Sequence, residues 1–160
     1  MNKIKIYLDT SVISHLNAED TPEKMQETLK FWKDLKADKY EIVISNVTLD
    51  ELAKCPEPKR EILINYLKDI QFEEVKQNTE MGKLAHEYIK HGVLKQKSID
   101  DCRHIAIATI SGCKYIISWN FKHFVNINTI NKVQGVNKII GYSEIAIVPP
   151  SMMLEGEDEE

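Results

Sequence analysis

The sequence predicts an α/β protein with a single domain, in which a mainly parallel central sheet is flanked by helices on both faces. Three observations lead to this prediction. Short β-rich runs alternate along the chain with longer segments of helical periodicity, which is typical of parallel sheets. The chain has 160 residues, enough for one domain with a sizeable core. Its composition, 42% hydrophobic and 29% charged, is that of an ordinary globular protein.

The predicted strands are short apolar runs rich in β-branched residues. The first, KIKIYL at 3–8, alternates in character and is bounded by polar residues. Three further runs are similarly rich in apolar and β-branched residues, namely EIVIS (41–45), KYIIS (114–118) and EIAIV (144–148). A further short strand is predicted at FEEV (72–75).

The first predicted helices follow the first strand. A short helix begins in VISHL, at 12–16. Thr21, Pro22 and Glu23 then form a helix start, with a capping residue, proline at the first helical position and an acid in the first turn. This second helix is predicted to run to about residue 37.

Four further helices are predicted from capping residues, from the chain break CPEP or from periodicity. Asn46 is predicted to cap a helix that follows the second strand. After the break CPEP, a helix runs to about residue 70, and an amphipathic helix covers 79–91. Ser98 is predicted to cap another helix, with two acids in its first turn where the helix dipole favours them.

Charge and cysteine content narrow the class of protein. Net charge is −4, but five acids lie in the last six residues, and the remainder has 21 basic and 20 acidic residues. We therefore divide the chain into a body, 1–150, and an acidic tail, 151–160, predicted to be disordered. Three cysteines without CxxC spacing indicate reduced thiols rather than a zinc site. With no signal peptide and no apolar run near the roughly 20 residues of a membrane span, we expect a cytoplasmic protein.

Polar side chains follow the ends of several strands or the starts of helices. Asp9 follows the first strand, Glu51 lies one turn into the helix after the second, and Asn120 follows the strand KYIIS. Carboxylates at the carboxyl ends of parallel strands converge on one crevice. Their mutual repulsion calls for a cation, and oxygen ligands suit Mg²⁺ or Mn²⁺. This pattern predicts a metal-dependent phosphodiesterase, most simply a ribonuclease.

Each of these residues also has a purely structural interpretation. Asp9 is equally well explained as a helix cap, Glu51 as a solvated helix acid and Asn120 as a turn residue. Asp100 and Asp101 point about 100° apart around their helix, so only one of them can face Asp9. For His104, packing against the helix is favoured over orienting a ligand.

The joint pattern resembles the PIN domain family, which includes the VapC-type toxins of toxin–antitoxin pairs. The resemblance extends over nearly the whole chain and rests on four segments in order: YLDTSVIS (7–14), ISNVTLDELAKC (44–55), DDCRHIAIAT (100–109) and IISWNFKHF (116–124). It implies a Mg²⁺- or Mn²⁺-dependent ribonuclease with RNA as substrate. It also implies a small antitoxin as a possible partner, no membrane association and a possible homodimer.

The resemblance assigns roles to individual residues. The family's metal-binding acids are matched by Asp9, Glu51 and Asp101. Asp101 is chosen over Asp100 because the family pattern places this acid five residues before an alanine, which is Ala106 in this sequence. The role of Asp100 stays open. Asn120 stands where many members have a fourth acid, and is included among the catalytic residues. This departure puts a tightly held second metal in doubt.

Neighbouring residues are candidates for contact with RNA. Thr10 and Ser11 can offer hydroxyl groups to phosphate, and Lys122 and His123 follow Asn120 at the same edge. We also expect the three clustered acids to have raised pKa values without metal. Two alternatives to the toxin hypothesis remain open, namely an RNA-processing nuclease without an antitoxin and a catalytically weakened module that binds RNA or protein.

Overall fold

The computed structural model describes residues 3–154, and its centre is one sheet of five strands. The strands are β1 (Ile4–Leu8), β2 (Tyr40–Ser45), β3 (Glu73–Val75), β4 (Tyr115–Ile117) and β5 (Ala146–Val148). All pairings are parallel, in the spatial order β3-β2-β1-β4-β5. The predicted fold class is confirmed, and each strand lies within two residues of its predicted position.

Helices connect successive strands, as parallel pairing requires. They are α1 (Thr10–Ser14), α2 (Pro22–Lys36), α3 (Asn46–Ala53), α4 (Lys59–Leu67), α5 (Thr79–Lys90), α6 (Ile99–Ile110) and α7 (Ile127–Ile140). Short 3₁₀ turns cover His15–Asn17, Gln96–Ser98 and Pro150–Met153. None of the helices within residues 3–154 is both long and apolar enough to span a bilayer.

The sheet separates two hydrophobic cores. On one face, α5, α6 and α7 pack against side chains such as Tyr7 of β1 and Ile116 of β4. On the other face, α1, α2 and α4 pack against Ile6 and Leu8 of β1 and against Ile117. Because successive residues of a strand point to opposite faces, the central β1 contributes to both cores and all its last three residues are fully buried.

Three of the predicted capping residues make no capping hydrogen bond, and one of them, Thr21, donates from its hydroxyl to the Ala18 carbonyl at 3.3 Å instead. The Ser45 hydroxyl, rather than the Asn46 side chain, accepts the hydrogen bond from the Thr48 N–H at the start of α3. Asn46 is already helical, and its Oδ1 accepts from the Gln77 N–H at 2.8 Å. At α6 the Ser98 side chain makes no capping hydrogen bond, because the chain enters the helix from a 3₁₀ turn.

Helix α7 has no counterpart in the sequence prediction, which assigns nothing between the turn at Asn120 and the last strand. Polar residues interrupt its apolar face, and one of them, Asn137, is buried where it accepts from the Tyr88 hydroxyl at 2.6 Å. Both ends carry ordinary signals: the Asn126 side chain accepts from the Thr129 N–H, and Gly141 ends the helix with φ +101°.

The predicted disordered tail begins too early at residue 151. Residues 151–153 belong to the turn Pro150–Met153, and Met153 and Leu154 pack against the core that contains Trp32. Packing of Met153 and Leu154 against this core stabilises the end of the turn. The acidic part of the predicted tail, 155–160, lies outside the described residues.

Candidate active site

The carboxyl edge of the sheet gathers the polar residues selected from the sequence. Asp9 follows β1 directly, Glu51 lies in α3 after β2, and Asp101 lies in the first turn of α6. Strands β1, β2 and β4 are adjacent and parallel, so their carboxyl ends open on the same side. The elements that carry these residues therefore reach the same edge of the sheet, and the contacts of each residue describe the candidate site.

Asp9 is held by two hydroxyl groups and caps no helix. It is 5% exposed, and its Oδ2 accepts hydrogen bonds from Ser11 Oγ at 2.7 Å and Ser118 Oγ at 2.8 Å. At the start of α1 its side chain makes no capping bond, so the helix-cap interpretation is wrong. Ser118 follows β4, and its hydroxyl therefore links the ends of two neighbouring strands.

Glu51 is fixed from two sides through a single oxygen. Its Oε1 accepts from Thr10 Oγ1 at 2.5 Å and from His104 Nε2 at 2.7 Å. Burial by itself raises the pKa of Glu51, but the hydrogen bonds and charge of His104, with the hydrogen bond of Thr10, lower the pKa below its usual value. The expectation that all three acids have raised pKa values is thus wrong for Glu51, because a cation already adjoins it.

That cation is His104, for which the sequence favoured simple packing. Its side chain is 1% exposed, and Nε2 lies 2.7 Å from Glu51 Oε1 and 3.8 Å from Asp9 Oδ1. Burial lowers its pKa, but the Tyr7 oxygen and the two carboxylates outweigh burial and hold the pKa well above the usual value. The raised pKa favours the protonated form of this buried ring beside the two carboxylates.

Tyr7 completes the environment of His104 from inside the core. Its hydroxyl lies 2.5 Å from His104 Nδ1 and 2.7 Å from Ser45 Oγ. Both nitrogens of the ring therefore have a hydrogen-bond partner, which fixes its orientation. The sequence offered one signal: His104 lies three residues after Asp101 and so shares its helix face, but Tyr7 looked like an ordinary strand residue.

Asp101, rather than Asp100, faces the site. Asp101 Oδ2 accepts from His123 Nδ1 at 2.7 Å, whereas Asp100 is mostly exposed and bonds Arg103 at 2.6 Å. Burial and the charge of Asp9 raise the pKa of Asp101, although His123 opposes them. The influence of Asp9 on this pKa reflects the closeness of the two carboxylates.

Asn120 organises the turn after β4. Its Oδ1 accepts from the His123 N–H at 2.9 Å, and its own N–H donates to Ser118 Oγ at 3.0 Å. The geometry therefore agrees with the turn interpretation of this residue. Its side-chain nitrogen donates no hydrogen bond within residues 3–154, and remains available to a ligand.

Of the other residues predicted to contact RNA, three form hydrogen bonds with the candidate acids and one is exposed. The hydroxyls of Thr10 and Ser11 are engaged with Glu51 and Asp9, so they support the acids instead of offering themselves to phosphate. The His123 ring is likewise bonded to Asp101. Lys122 is exposed and forms no ion pair with any described residue.

The donor set fits a divalent cation in chemistry, although it is not arranged as a finished metal site. Hydrogen bonds anchor Asp9 Oδ2, Glu51 Oε1 and Asp101 Oδ2, and the second oxygen of each carboxylate accepts none from the described residues. Three carboxylate oxygens are the ligands that Mg²⁺ and Mn²⁺ prefer. Within residues 3–154, no three acidic, histidine or cysteine side chains already stand in a metal-coordinating group, so coordination requires these oxygens to turn inward.

Metal binding should be measurable as thermal stabilisation. Saturating Mn²⁺ is expected to raise the melting temperature of metal-free protein, because the ion binds only where folding brings the acids together. At a concentration one hundred times Kd, the stabilisation is about 2.7 kcal/mol, or roughly 5–11 °C for a chain of this size. Differential scanning fluorimetry with Mn²⁺, and then with excess EDTA, tests this; an unchanged melting temperature would exclude a site of useful affinity.

Comparison with known protein families finds one match. The model of the family described as PIN domain matches residues 6–124, a segment that includes Asp9, Glu51, Asp101 and Asn120. No curated protein matches the sequence.

Two solved structures share the fold at low sequence identity. VapC20 of Mycobacterium tuberculosis, described as a sarcin-ricin loop cleaving toxin, has a TM-score of 0.57 and 16% identity, over 88% of this chain and 98% of that chain. VapBC2 of Rickettsia felis, solved bound to a DNA fragment from its promoter, has a TM-score of 0.55 and 14% identity, over 91% and 98%. At these identities the likeness establishes the fold alone.

Proposed function

Because the chain belongs to the PIN domain family, we propose that it is a metal-dependent endoribonuclease and the toxin of a toxin–antitoxin pair. The observation that supports this most directly is the carboxylate arrangement. Asp9, Glu51 and Asp101 lie on elements that reach the carboxyl edge of the sheet, each with one anchored oxygen and one that accepts no hydrogen bond from residues 3–154. Such a cluster suits hydrolysis of phosphodiester bonds, which needs a cation close to the phosphate.

In this proposal Asp9, Glu51 and Asp101 hold Mg²⁺ or Mn²⁺. When bound, the ion supplies Lewis acidity toward the phosphate and lowers the pKa of water. The free oxygens of the three carboxylates are its ligands. Ser118, Thr10 and His123 anchor the opposite oxygens and limit how far each carboxylate can turn toward the ion, so they are support for the reaction and not direct participants.

His104 has a distinct part in the proposed reaction. Its Nε2–H holds the Glu51 carboxylate at 2.7 Å and lies 3.8 Å from Asp9, so it sets the position of one acid relative to the other. Asn120 is linked to Asp101 by His123, whose backbone N–H donates to Asn120 Oδ1 and whose ring bonds Asp101 Oδ2. The side-chain nitrogen of Asn120 donates to none of residues 3–154 and is suited to donate to a phosphate oxygen. Lys122 is suited to a backbone phosphate on the same side.

The experiment that tests the proposal is a cleavage assay on total RNA. Purified protein is incubated with Mg²⁺, Mn²⁺ or EDTA, and the products are mapped by their new ends. Discrete internal cuts that require a divalent ion support an endoribonuclease. Intact RNA with both metals, from protein that still gains stability with Mn²⁺, would instead favour the weakened binding module.

The toxin assignment needs a separate observation. VapC20, which is described as a toxin, and VapBC2 share this fold. Their likeness favours the toxin assignment over an RNA-processing nuclease. We propose a small antitoxin as partner and a homodimer as the working form. A small reading frame directly upstream, whose product co-purifies with this chain and blocks cleavage, supports the toxin; growth that is unaffected when the chain alone is expressed contradicts it.

Asn120 offers a graded test of the ligand set. Asn120→Ala is expected to lower cleavage about tenfold, less than loss of Asp9 or Asp101, because the amide contributes one neutral contact and orders the turn that carries His123. Asn120→Asp is expected to retain the fold and tighten Mn²⁺ binding, since it adds a carboxylate. Initial cleavage rates and Mn²⁺ titrations, after circular dichroism confirms folding, check both. Abolished cleavage in Asn120→Ala with activity retained in Asp101→Ala would invert this ranking.

A further inference from the structure

A concave basic surface adjoins the candidate site on the side of Asp101. We call it the basic groove: a cavity of about 450 Å³ whose lining includes Lys95, Lys97, Lys122, His123 and Lys132. No aspartate or glutamate is among the residues that line it. Four lysines without an acid form a local excess of positive charge on a chain whose net charge is −4. Such a surface attracts polyanions.

Three separate segments build this groove. Lys95 and Lys97 lie in the connection from α5 to α6, and Lys122 lies in the turn after β4. Lys132, in α7, donates from Nζ to the Gly92 carbonyl at 3.2 Å and so ties that helix to the first segment. These two segments are thereby held together, and the groove is part of the folded body.

The lysines of the groove are not engaged by other charges. No ion pair within residues 3–154 involves Lys95, Lys97, Lys122 or Lys132, although other lysines of the chain pair with acids, as Lys39 does with Asp34. An isolated exposed lysine is ordinarily just hydrated. Several unpaired lysines that converge on one concave surface instead leave a positive potential that only an outside anion can neutralise.

His123 connects the groove to the acids. Its ring lines the groove, and its Nδ1 donates to Asp101 Oδ2 at 2.7 Å. The ring therefore stands between the groove and the Asp101 carboxylate, and reduces the repulsion that this carboxylate would exert on an anion in the groove. An anionic chain that follows the groove past His123 arrives at the carboxylate cluster.

We infer that the basic groove binds the phosphate backbone of single-stranded RNA beside the bond that is cut. This inference rests on the proposed ribonuclease activity and names the path of the substrate. RNA is favoured over an acidic peptide because the groove leads to a site suited to phosphodiester cleavage. Backbone phosphates also recur at every nucleotide, which matches several lysines that make no base-specific contact.

The test compares two triple variants of the full chain. Lys95→Ala/Lys97→Ala/Lys122→Ala removes three groove lysines and leaves Lys132 in place, since it bonds Gly92. The matched control removes Lys30, Lys33 and Lys68, which are equally exposed but belong to the layer of α2 and α4, on the opposite face of the sheet. Binding is measured by fluorescence anisotropy with a labelled 2′-O-methyl 12-mer in EDTA, so that no cleavage occurs.

The expected result is a change in salt dependence specific to the groove variant. Removing one lysine–phosphate interaction reduces the slope of log K against log salt concentration by roughly 0.7 for single strands, so removing three reduces the slope by about 2. If affinities coincide near 1 M salt, binding at 0.1 M is then roughly 100-fold weaker than for the wild type. In cleavage assays with Mn²⁺, KM should rise while kcat stays near its original value, because the carboxylates are untouched.

Several results would overturn the inference. Equal weakening in both triple variants would mean a general charge effect, and an unchanged salt slope would mean that the groove does not contact phosphate. Groove-dependent binding of a glutamate-rich peptide, with RNA binding insensitive to the same lysines, would assign the groove to a protein partner. If the wild type cleaves RNA with a KM that the groove variant shares, the groove fails while the nuclease stands. Groove-dependent RNA binding without any cleavage would instead support the groove and contradict the nuclease.

Discussion

Replacing Asp9 with asparagine is expected to reduce RNA cleavage by about 10³-fold or more while the protein stays folded. Asparagine retains an oxygen that can accept from Ser11 and Ser118. It loses the charge and one carboxylate oxygen with which Asp9 would hold a cation. A metal ion is worth several kcal/mol to the transition state, and each 1.36 kcal/mol is tenfold in rate. Single-turnover cleavage of a labelled RNA measures the loss.

The matched control is Asp100→Asn, which makes the same chemical change at an acid next to Asp101 that faces away from the site. Asp100 is mostly exposed and bonds only Arg103 among the described residues. Its substitution should leave both the cleavage rate and the stabilisation by Mn²⁺ within about twofold of the wild type, since exposed pairs contribute little. A variant Asp9→Asn that cleaves normally, or a loss of activity in Asp100→Asn instead, would show that the acids have been assigned wrongly.

His104→Leu is expected to destabilise the metal-free protein by about 3 kcal/mol. The substitution removes a fully buried imidazolium and leaves Asp9 and Glu51 without their counter-charge, and breaking a buried pair costs about 3–5 kcal/mol. We take the lower end because the Glu51 side chain is 35% exposed. The melting temperature should fall by roughly 6–12 °C. Saturating Mn²⁺ should stabilise this variant more than the wild type, since a cation replaces the lost charge.

His123→Leu provides the control, because it removes a histidine from a more exposed acid pair. The His123 side chain is 30% exposed, so the loss should be below about 1 kcal/mol. The pH dependence gives a second readout. Because the folded pKa of His104 is raised, its contribution is complete below the unfolded pKa of about 6.5 and is lost as pH rises through the folded pKa. Urea midpoints across that range should therefore decline in the wild type but not in His104→Leu.

The architecture was accessible from the sequence because it depends on local patterns. Each strand is a short apolar run bounded by polar residues, and most helices carry a start signal such as Pro22 or an amphipathic period such as that of 79–91. Helix α7 was not predicted because its apolar positions are interrupted by residues such as Asn137. The burial of Asn137 is compensated by a hydrogen bond from Tyr88. That compensation comes from a helix nearly fifty residues away and leaves no trace in local sequence.

The candidate site was predictable in its acids but not in their support. Strand ends locate Asp9 near Glu51 through a general property of parallel sheets. The contacts of His104 depend instead on how α6 rotates against β1, which no pattern in the sequence specifies. The result is a cation between two carboxylates, which lowers the pKa of Glu51 where like-charge repulsion alone predicted a rise.

The pairing of β1 with β4 has a consequence for synthesis on the ribosome. Asp9 is translated more than a hundred residues before Ser118, which carries one of its two anchoring hydroxyls, and β1 pairs with β4 only after Ile117 has emerged. Vectorial translation therefore produces more than a hundred residues of chain before the first acid is fixed in place. Under the proposed function, we expect a nascent chain that has not yet paired β1 with β4 to lack the complete support of Asp9 and therefore not to cleave RNA.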